Sequence, residues 1–577
     1  MPSYYGGVSK ITPDQKLAGA LVPVFALRGE KDLGIGDTES LKEFVRWARK
    51  HGMRAVQILP VNETGADHSP YNIISSMAVE PSTLTTLPRV MQDLTAADFK
   101  KITDTHGADK ICDGHVHYDP VKSLKIDLLL AAFSRFSKRG GARRREAFAE
   151  FRHDQRSWLE PYTIFRSLVE VHDTEVISNW PRNQRSLAGA REWLNTLDPE
   201  PREEFQREAD FRAYIQWIAF QQWESVREEC DLQGVALIGD IPVGVSIYSA
   251  DVWQEPGIFD LTRSGGAPPE RAFATDPFTK KWGQNWGFPL YNWFAMSQDN
   301  FAWWRRRLRR MRQMFDLVRV DHALGFFRIY SFPWRPEENM AYLELSEDEA
   351  AARTGGALPG FVPNDDSTLE NQDKNRRHGA TLFRMFLEES VAHCLIAEDL
   401  GAVAPYVRPV LAELEIPGFK IPQWELEPDG KFTPGADYPR LSLATYATHD
   451  HPPVKAFWND WFEVIQAGPS QQADAALAQM RLIMEFSGTG EIELPRAFDA
   501  AIHRATLQGL LRCNSWLVIP MITDILGEEA RFNVPGAAGE DNWTARLDVP
   551  VSMLDTAFAT PMKRFDEALQ ESGRADE

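Results

Sequence analysis

The sequence predicts an α/β protein, a (β/α)8 TIM barrel carrying large, mainly helical insertions. Two observations point there. Short apolar runs of the kind that form fully buried parallel strands recur along the chain, and several of them end directly on a carboxylate. The runs are Leu21–Phe25, Ala55–Leu59, Val235–Gly239, Leu317–Val320, Leu395–Ala397, Phe419–Gln423, Leu443–Tyr446 and Leu517–Pro520. They number eight, which is what such a barrel requires. A chain of 577 residues accommodates one barrel swollen by insertions, so residues 1–577 are expected to be a single catalytic unit.

Between the first two runs, Leu41, Phe44, Val45 and Ala48 recur at helical spacing, which predicts a helix over Glu39–His51 with Thr38 as its N-cap. The interval before the third run is too long for a loop and is read as a mainly helical insertion over residues 82–230. Within it, Phe211, Tyr214, Trp217, Phe220 and Trp223 are spaced in threes, the mark of a helix laying an aromatic face on the barrel. A second helical insertion near the active site is expected over residues 336–385. Arg305, Arg306, Arg307, Arg309, Arg310 and Arg312 crowd one predicted helix, and are read as a solvated, ion-paired face. The polar stretch Gln570–Glu577 is expected to fray.

A net charge of −20 repels phosphate backbones and anionic lipid, so neither nucleic acid nor membrane is expected as a partner. No run approaches the roughly 20 apolar residues of a membrane span. Cys112, Cys230, Cys394 and Cys513 are far apart, with none of the close spacing of zinc or redox sites. They read as reduced thiols, and the protein as cytoplasmic.

Asp240, Asp321, Glu398 and Asp450 each follow a strand run or lie just beyond one. In a barrel these ends converge on the catalytic face. A carboxylate directly after a buried run is costly unless paired or functional, so the set says more than any member. Arg319 stands two residues before Asp321 on one strand, so both side chains point the same way and the guanidinium favours the ionised acid. Glu398, beside Asp399, is placed to keep its proton. Such a pair, one attacking and one exchanging protons, is what retaining glycosidases use. The cluster His449-Asp450-His451, followed by two prolines, is not read as a metal site.

The motifs Gly34-Ile35-Gly36-Asp37, Gln57-Ile58-Leu59-Pro60, Ser69-Pro70-Tyr71, Ile238-Gly239-Asp240-Ile241-Pro242-Val243, Gly266-Ala267-Pro268-Pro269, Gly283-Gln284-Asn285-Trp286-Gly287, Val318-Arg319-Val320-Asp321-His322, Ala397-Glu398-Asp399-Leu400-Gly401, Thr448-His449-Asp450 and Asp524-Ile525-Leu526-Gly527 occur in one order. In that order the chain resembles the 4-α-glucanotransferases, the amylomaltases and disproportionating enzymes related to α-amylases.

The resemblance implies a barrel without a separate C-terminal β-sandwich, no cofactor and no metal. It implies transfer of a segment of an α-1,4-glucan or maltooligosaccharide to the 4-hydroxyl of an acceptor glucose or glucan, by a monomer or homodimer. Asp321 would be the nucleophile, Glu398 the general acid/base, and Asp450 would hold sugar hydroxyls at the cleavage subsite. Arg319 would orient the nucleophile, while Asp240, His449, His322, Tyr71, Ser69, Asn285 and Trp286 would line the substrate site. Trp286 and its neighbours match a loop that closes over the acceptor. The chain departs from the family in a longer segment, Glu270–Trp282, and in Ala66 where some members carry an aromatic residue for an outlying glucan site. A hydrolase of α-amylase type and a catalytically silent glucan-binding barrel are the alternatives.

Overall fold

The computed structural model describes residues 11–269, 276–390, 394–490, 492–535 and 542–575. Its strands in chain order are β1 (Leu17–Leu21), β2 (Ala55–Gln57), β3 (Ala236–Ile241), β4 (Phe259–Ala267), β5 (Gln284–Tyr291), β6 (Leu317–Val320), β7 (Ile329–Phe332), β8 (Gly360–Val362), β9 (Leu395–Ala397), β10 (Gly418–Lys420), β11 (Ser442–Ala444) and β12 (Leu517–Val518). Eight of them close a parallel barrel in the order β1-β12-β11-β10-β9-β6-β3-β2. Each predicted run supplies one barrel strand. The first is displaced most: the ladder uses Leu17–Leu21, and the equally apolar Val24–Ala26 turns off as a 3-10 helix after Pro23, which has no N–H to continue the pairing.

The remaining strands, β4, β5, β7 and β8, form a small antiparallel sheet in the order β5-β4-β7-β8. It stands above the carboxyl ends of the barrel strands and has no counterpart in the sequence reading. The register of β4 against β5 slips between Asp260 and Ser264 and again between Ser264 and Gly266, so the polar and apolar residues do not alternate as they would in a regular strand. β8 also places a strand inside residues 336–385, beside the helices Asn339–Tyr342, Glu347–Arg353 and Leu369–Glu388.

The helix following β1 runs Thr38–Lys50, and its N-cap is Asp37 rather than Thr38. The Asp37 side chain accepts from the backbone N–H of Glu39 and Ser40, and Ser40 answers the Asp37 N–H at 2.7 Å, satisfying orphan donors reciprocally. Helices fill most of residues 96–233, ending with one of 35 residues, Pro199–Gln233. On it Phe211, Tyr214, Trp217 and Trp223 are buried, with Phe220 partly so: the aromatic stripe is core.

Two expectations about polar segments fail. On the helix Ala302–Met314, Arg305 and Arg309 pair with Glu389, Arg306 pairs with Glu255 and Arg312 caps the Glu389 carbonyl, but Arg307 and Arg310 are buried. The face that looks basic in sequence is divided between ion pairs and the interior. Near the C-terminus, Arg574 is fully buried and donates to the carbonyls of Leu17, Leu511, Cys513, Ser515 and Trp516. Of the segment expected to fray, residues 576 and 577 lie outside the described residues, and Arg574 anchors the ends of β1 and β12. Of Glu270–Trp282, residues 270–275 lie outside the described residues, and Pro277–Trp282 is a helix capped by Asp276.

Candidate active site

The barrel ladder itself sets the carboxylates. One residue beyond β6 the Asp321 N–H still donates to Ile241 O at 3.0 Å, and one beyond β9 the Glu398 N–H donates to Val320 O at 3.1 Å. Both acids are therefore held by backbone bonds at the strand mouths while their side chains leave the sheet. Before β3 delivers Asp240, Gly239 is needed because a Cβ there would meet the Phe315 ring at 2.3 Å. After Asp321 the chain reverses through His322 at φ 42°, an unfavourable left-handed conformation for a residue with a Cβ. That reversal turns the His322 N–H onto Glu398 Oε2 at 2.8 Å.

Above these ends opens a cleft of about 850 Å³, lined by Ser69, Tyr71, Trp286, Arg319, Asp321, His322, Glu398, His449, Asp450 and others. At its floor Arg319 Nη1 lies 3.0 Å from Asp321 Oδ1 and 2.8 and 2.9 Å from the Asp240 oxygens. Asp321 Oδ2 accepts the Val243 N–H at 3.2 Å. Asp240 is 1% exposed and is not in the cleft wall. It sits beneath the wall, taking the Tyr71 hydroxyl at 2.7 Å and fixing Arg319, so it supports the site rather than lining it. Tyr71 stacks on His449, centroids 4.9 Å apart at 14°, and Trp543 packs against both rings, 6.0 Å from Tyr71 and 5.9 Å from His449.

The electrostatics separate the acids. Burial pushes the Glu398 carboxyl well above the usual range; the Arg319 guanidinium opposes this, and the negative charges of Asp321 and Asp450 add to it. Asp399 acts in the same direction, as anticipated, but less than Asp321 and Asp450, its side chain being turned to the Phe419 N–H at 2.7 Å and Arg408 Nε at 2.9 Å. For Asp450 burial also pushes upward, but the His449 ring 3.2 Å away overrides it and holds the carboxyl well below the ordinary range. Burial lowers His322 and His451 to about 4, so both rings are neutral at pH 7.

Trp286, on β5, reaches the cleft edge-on to His322 at 4.9 Å and is 37% exposed. Its neighbour Asn285 faces the other way, as alternation along a strand requires. The Asn285 amide takes Ser264 Oγ at 2.6 Å and donates to Asn339 Oδ1 at 3.0 Å and Trp334 O at 3.3 Å. It ties the small sheet to the following insertion and does not line the cleft. Ser69 lines the cleft while its Oγ accepts the Tyr71 N–H at 3.3 Å.

Several residues in the wall or bracing it carry no signal in the sequence. Asn533 Nδ2 donates to Asp450 Oδ1 at 2.6 Å, Arg531 holds the Asp450 carbonyl at 2.7 Å, and Asn542 braces Asn533 at 2.9 Å. Arg328, just before β7, and Tyr330 and Phe361, on β7 and β8, also reach the cleft. Isolated polar residues in loops and an unread sheet give no period or spacing to find them by. Among the described residues no cluster of three or more His, Cys, Asp or Glu is arranged to hold a metal, and no helix is long and apolar enough to cross a membrane.

An eight-stranded parallel barrel whose strand mouths present partly buried acids with opposed environments to one cleft defines an α/β-barrel enzyme of acid–base chemistry. The sequence profile of one such family, described as 4-alpha-glucanotransferase, matches residues 22–552. A 4-alpha-glucanotransferase of Chlamydia caviae is 30% identical over 545 residues, covering 93% of this chain and 92% of that one. One from Thermus thermophilus is 28% identical, covering 92% and 94%. Among solved structures, the amylomaltase of Streptococcus agalactiae in complex with acarbose superposes with a TM-score of 0.74 over 97% of this chain and 100% of that one, at 22% identity; at that identity the likeness speaks for the fold. The chain belongs to the 4-α-glucanotransferase family.

Proposed function

We propose that this member performs a retaining transfer on α-1,4-glucans through a covalent glucosyl-enzyme on Asp321, with Glu398 as general acid/base. The carrying observation is the contrast between the two acids. Asp321 has a donor on each oxygen, Arg319 on one and the Val243 N–H on the other, while burial keeps the proton on Glu398. Glu398 gives that proton to the glycosidic oxygen as Asp321 attacks the anomeric carbon, and takes one from the acceptor 4-hydroxyl when the ester is opened. Asp450, braced by Asn533 and kept ionised beside His449, accepts sugar hydroxyls in the distorted ring. Tyr71 and Trp286 offer ring faces to the glucan, and Trp286 on the rim favours a sugar over water as acceptor. Maltooligosaccharides fit the reading as donors, and the four unlinked cysteines suit a reducing cytoplasm.

Incubation with maltotriose alone tests the proposal. A ladder of longer maltooligosaccharides with glucose is expected; maltose and glucose alone would make the protein a hydrolase, and no turnover would leave a silent barrel.

A further inference from the structure

Behind the cleft wall lies a buried cation with no carboxylate in salt-bridge contact among the described residues. Arg307, on the helix Ala302–Met314 that packs against β3, is 1% exposed and makes no salt bridge among the described residues. A guanidinium stays charged even so, and taking it out of water unpaired is costly. The Trp303 and Trp304 rings, 5.4 and 5.0 Å from it, compensate in part. The guanidinium also meets the Tyr291 hydroxyl, and its Nη2 donates to the Pro242 carbonyl at 2.9 Å.

That carbonyl and the Val243 N–H are two ends of one peptide group, and the N–H is the donor to Asp321 Oδ2 at 3.2 Å. The barrel ladder stops just short of this peptide: the Ile241 carbonyl takes the last bond, from Asp321, and Pro242 has no N–H. The following carbonyl, Val243 O, accepts the Tyr291 hydroxyl at 2.9 Å, and Tyr291 lies beside Arg307, packed on Trp303 and Trp304. A second cavity of about 190 Å³, lined by Val243, Phe288 and Tyr291 among others, adjoins Val243. With its two carbonyl ties cut, Val243 has space to move into.

We propose that Arg307 is a positioning residue for glucan transfer, acting through the Pro242–Val243 peptide, with Tyr291 securing the next carbonyl, to aim and strengthen the N–H that holds Asp321. A cation at the carbonyl end polarises the peptide and makes its N–H a better donor. Arg319 is shared between Asp321 and Asp240, so this second donor sets the rotation of the attacking carboxylate. The inference rests on Asp321 being the nucleophile.

Arg307→Met, Arg307→Lys and Tyr291→Phe, each checked for folding by thermal unfolding, are assayed with maltotriose and with α-glucosyl fluoride, whose fluoride departs without a proton. Arg307→Met is expected to lower kcat by up to about 100-fold with both donors and to leave KM within about twofold, because the nucleophile and not substrate contact is disturbed. Arg307→Lys regains most of the loss, since an ammonium reaches the same carbonyl. Tyr291→Phe gives a smaller loss of the same pattern. A folded Arg307→Met with unchanged kcat, or with a loss that vanishes on the fluoride donor, overturns the proposal. If Arg307→Met does not fold, Tyr291→Phe decides on the same criteria. Asp321→Asn keeps the two questions apart: activity in that variant overturns the nucleophile itself, whereas an inactive Asp321→Asn beside an unaffected Arg307→Met overturns this inference alone.

Discussion

Burial raises the Glu398 carboxyl against the pull of Arg319, which makes it an acid at neutral pH and a poor one once it is stripped of its proton. Activity should therefore fall on the alkaline side as Glu398 deprotonates. Glu398→Gln should reduce turnover of maltotriose by about 10²- to 10⁴-fold, and the deficit should shrink with α-glucosyl fluoride as donor and azide as acceptor, neither of which needs the proton. An equal deficit in that assay would remove the acid/base role. Another buried acid acts on stability instead. Asp524 accepts the Val454 N–H at 2.7 Å, and burial pushes its carboxyl from 3.8 to about 7. Between those values the folded chain holds a proton that the unfolded chain has released, so stability falls as pH rises through the window. The contribution is complete below the lower value and gone above the upper one. Asp524→Asn keeps the acceptor for Val454 without the titration, and its melting temperature should decline less than the parent's between pH 5 and pH 8 in paired scans.

At the scale of elements, the barrel strands were readable because a strand buried on both faces is a plain apolar run, and Leu317–Val320 and Leu395–Ala397 match to the residue. The small sheet was not readable. In β4, Asp260, Thr262, Arg263 and Ser264 mix with glycines across two register slips, and no window shows a period. Losing the sheet also misassigned Asn285, since strand alternation, unseen in the sequence, sends Trp286 to the cleft and Asn285 to the packing side. The arginine helix fails for another reason: helical periodicity shows that Arg307 and Arg310 share a side with Trp303 and Trp304, but charge count argued for solvent. Arg310 lies 3.5 Å over the Phe220 ring, and burial lowers it to about 9. Because a buried cation without a carboxylate contributes little or negatively to stability, Arg310→Met should leave the melting temperature unchanged or raise it. A large fall in denaturant midpoint would assign the guanidinium a stabilising role.

For the whole molecule, the cleft of about 850 Å³ is assembled from loops after β2, β3, β6, β9 and β11, from the small sheet, and from Asn533, Pro535, Asn542 and Trp543. A ligand that bridges these parts binds the folded state alone. Maltotriose at 100 times its dissociation constant should stabilise the non-hydrolysing Asp321→Asn protein by about 2.7 kcal/mol, measurable as a raised melting temperature. No shift would mean that the glucan does not occupy this cleft. The barrel, its strand count and the principal acids were legible in the amino-acid order, since burial on both faces and carboxylates at strand ends are local patterns of residue type. Asp240 beneath the wall, Asn533 against Asp450, Arg574 across the strand ends and the Arg307 peptide relay became visible through the folded chain, because each depends on distant segments meeting at hydrogen-bond distance, and no local pattern encodes which polar residue a loop will set against which partner.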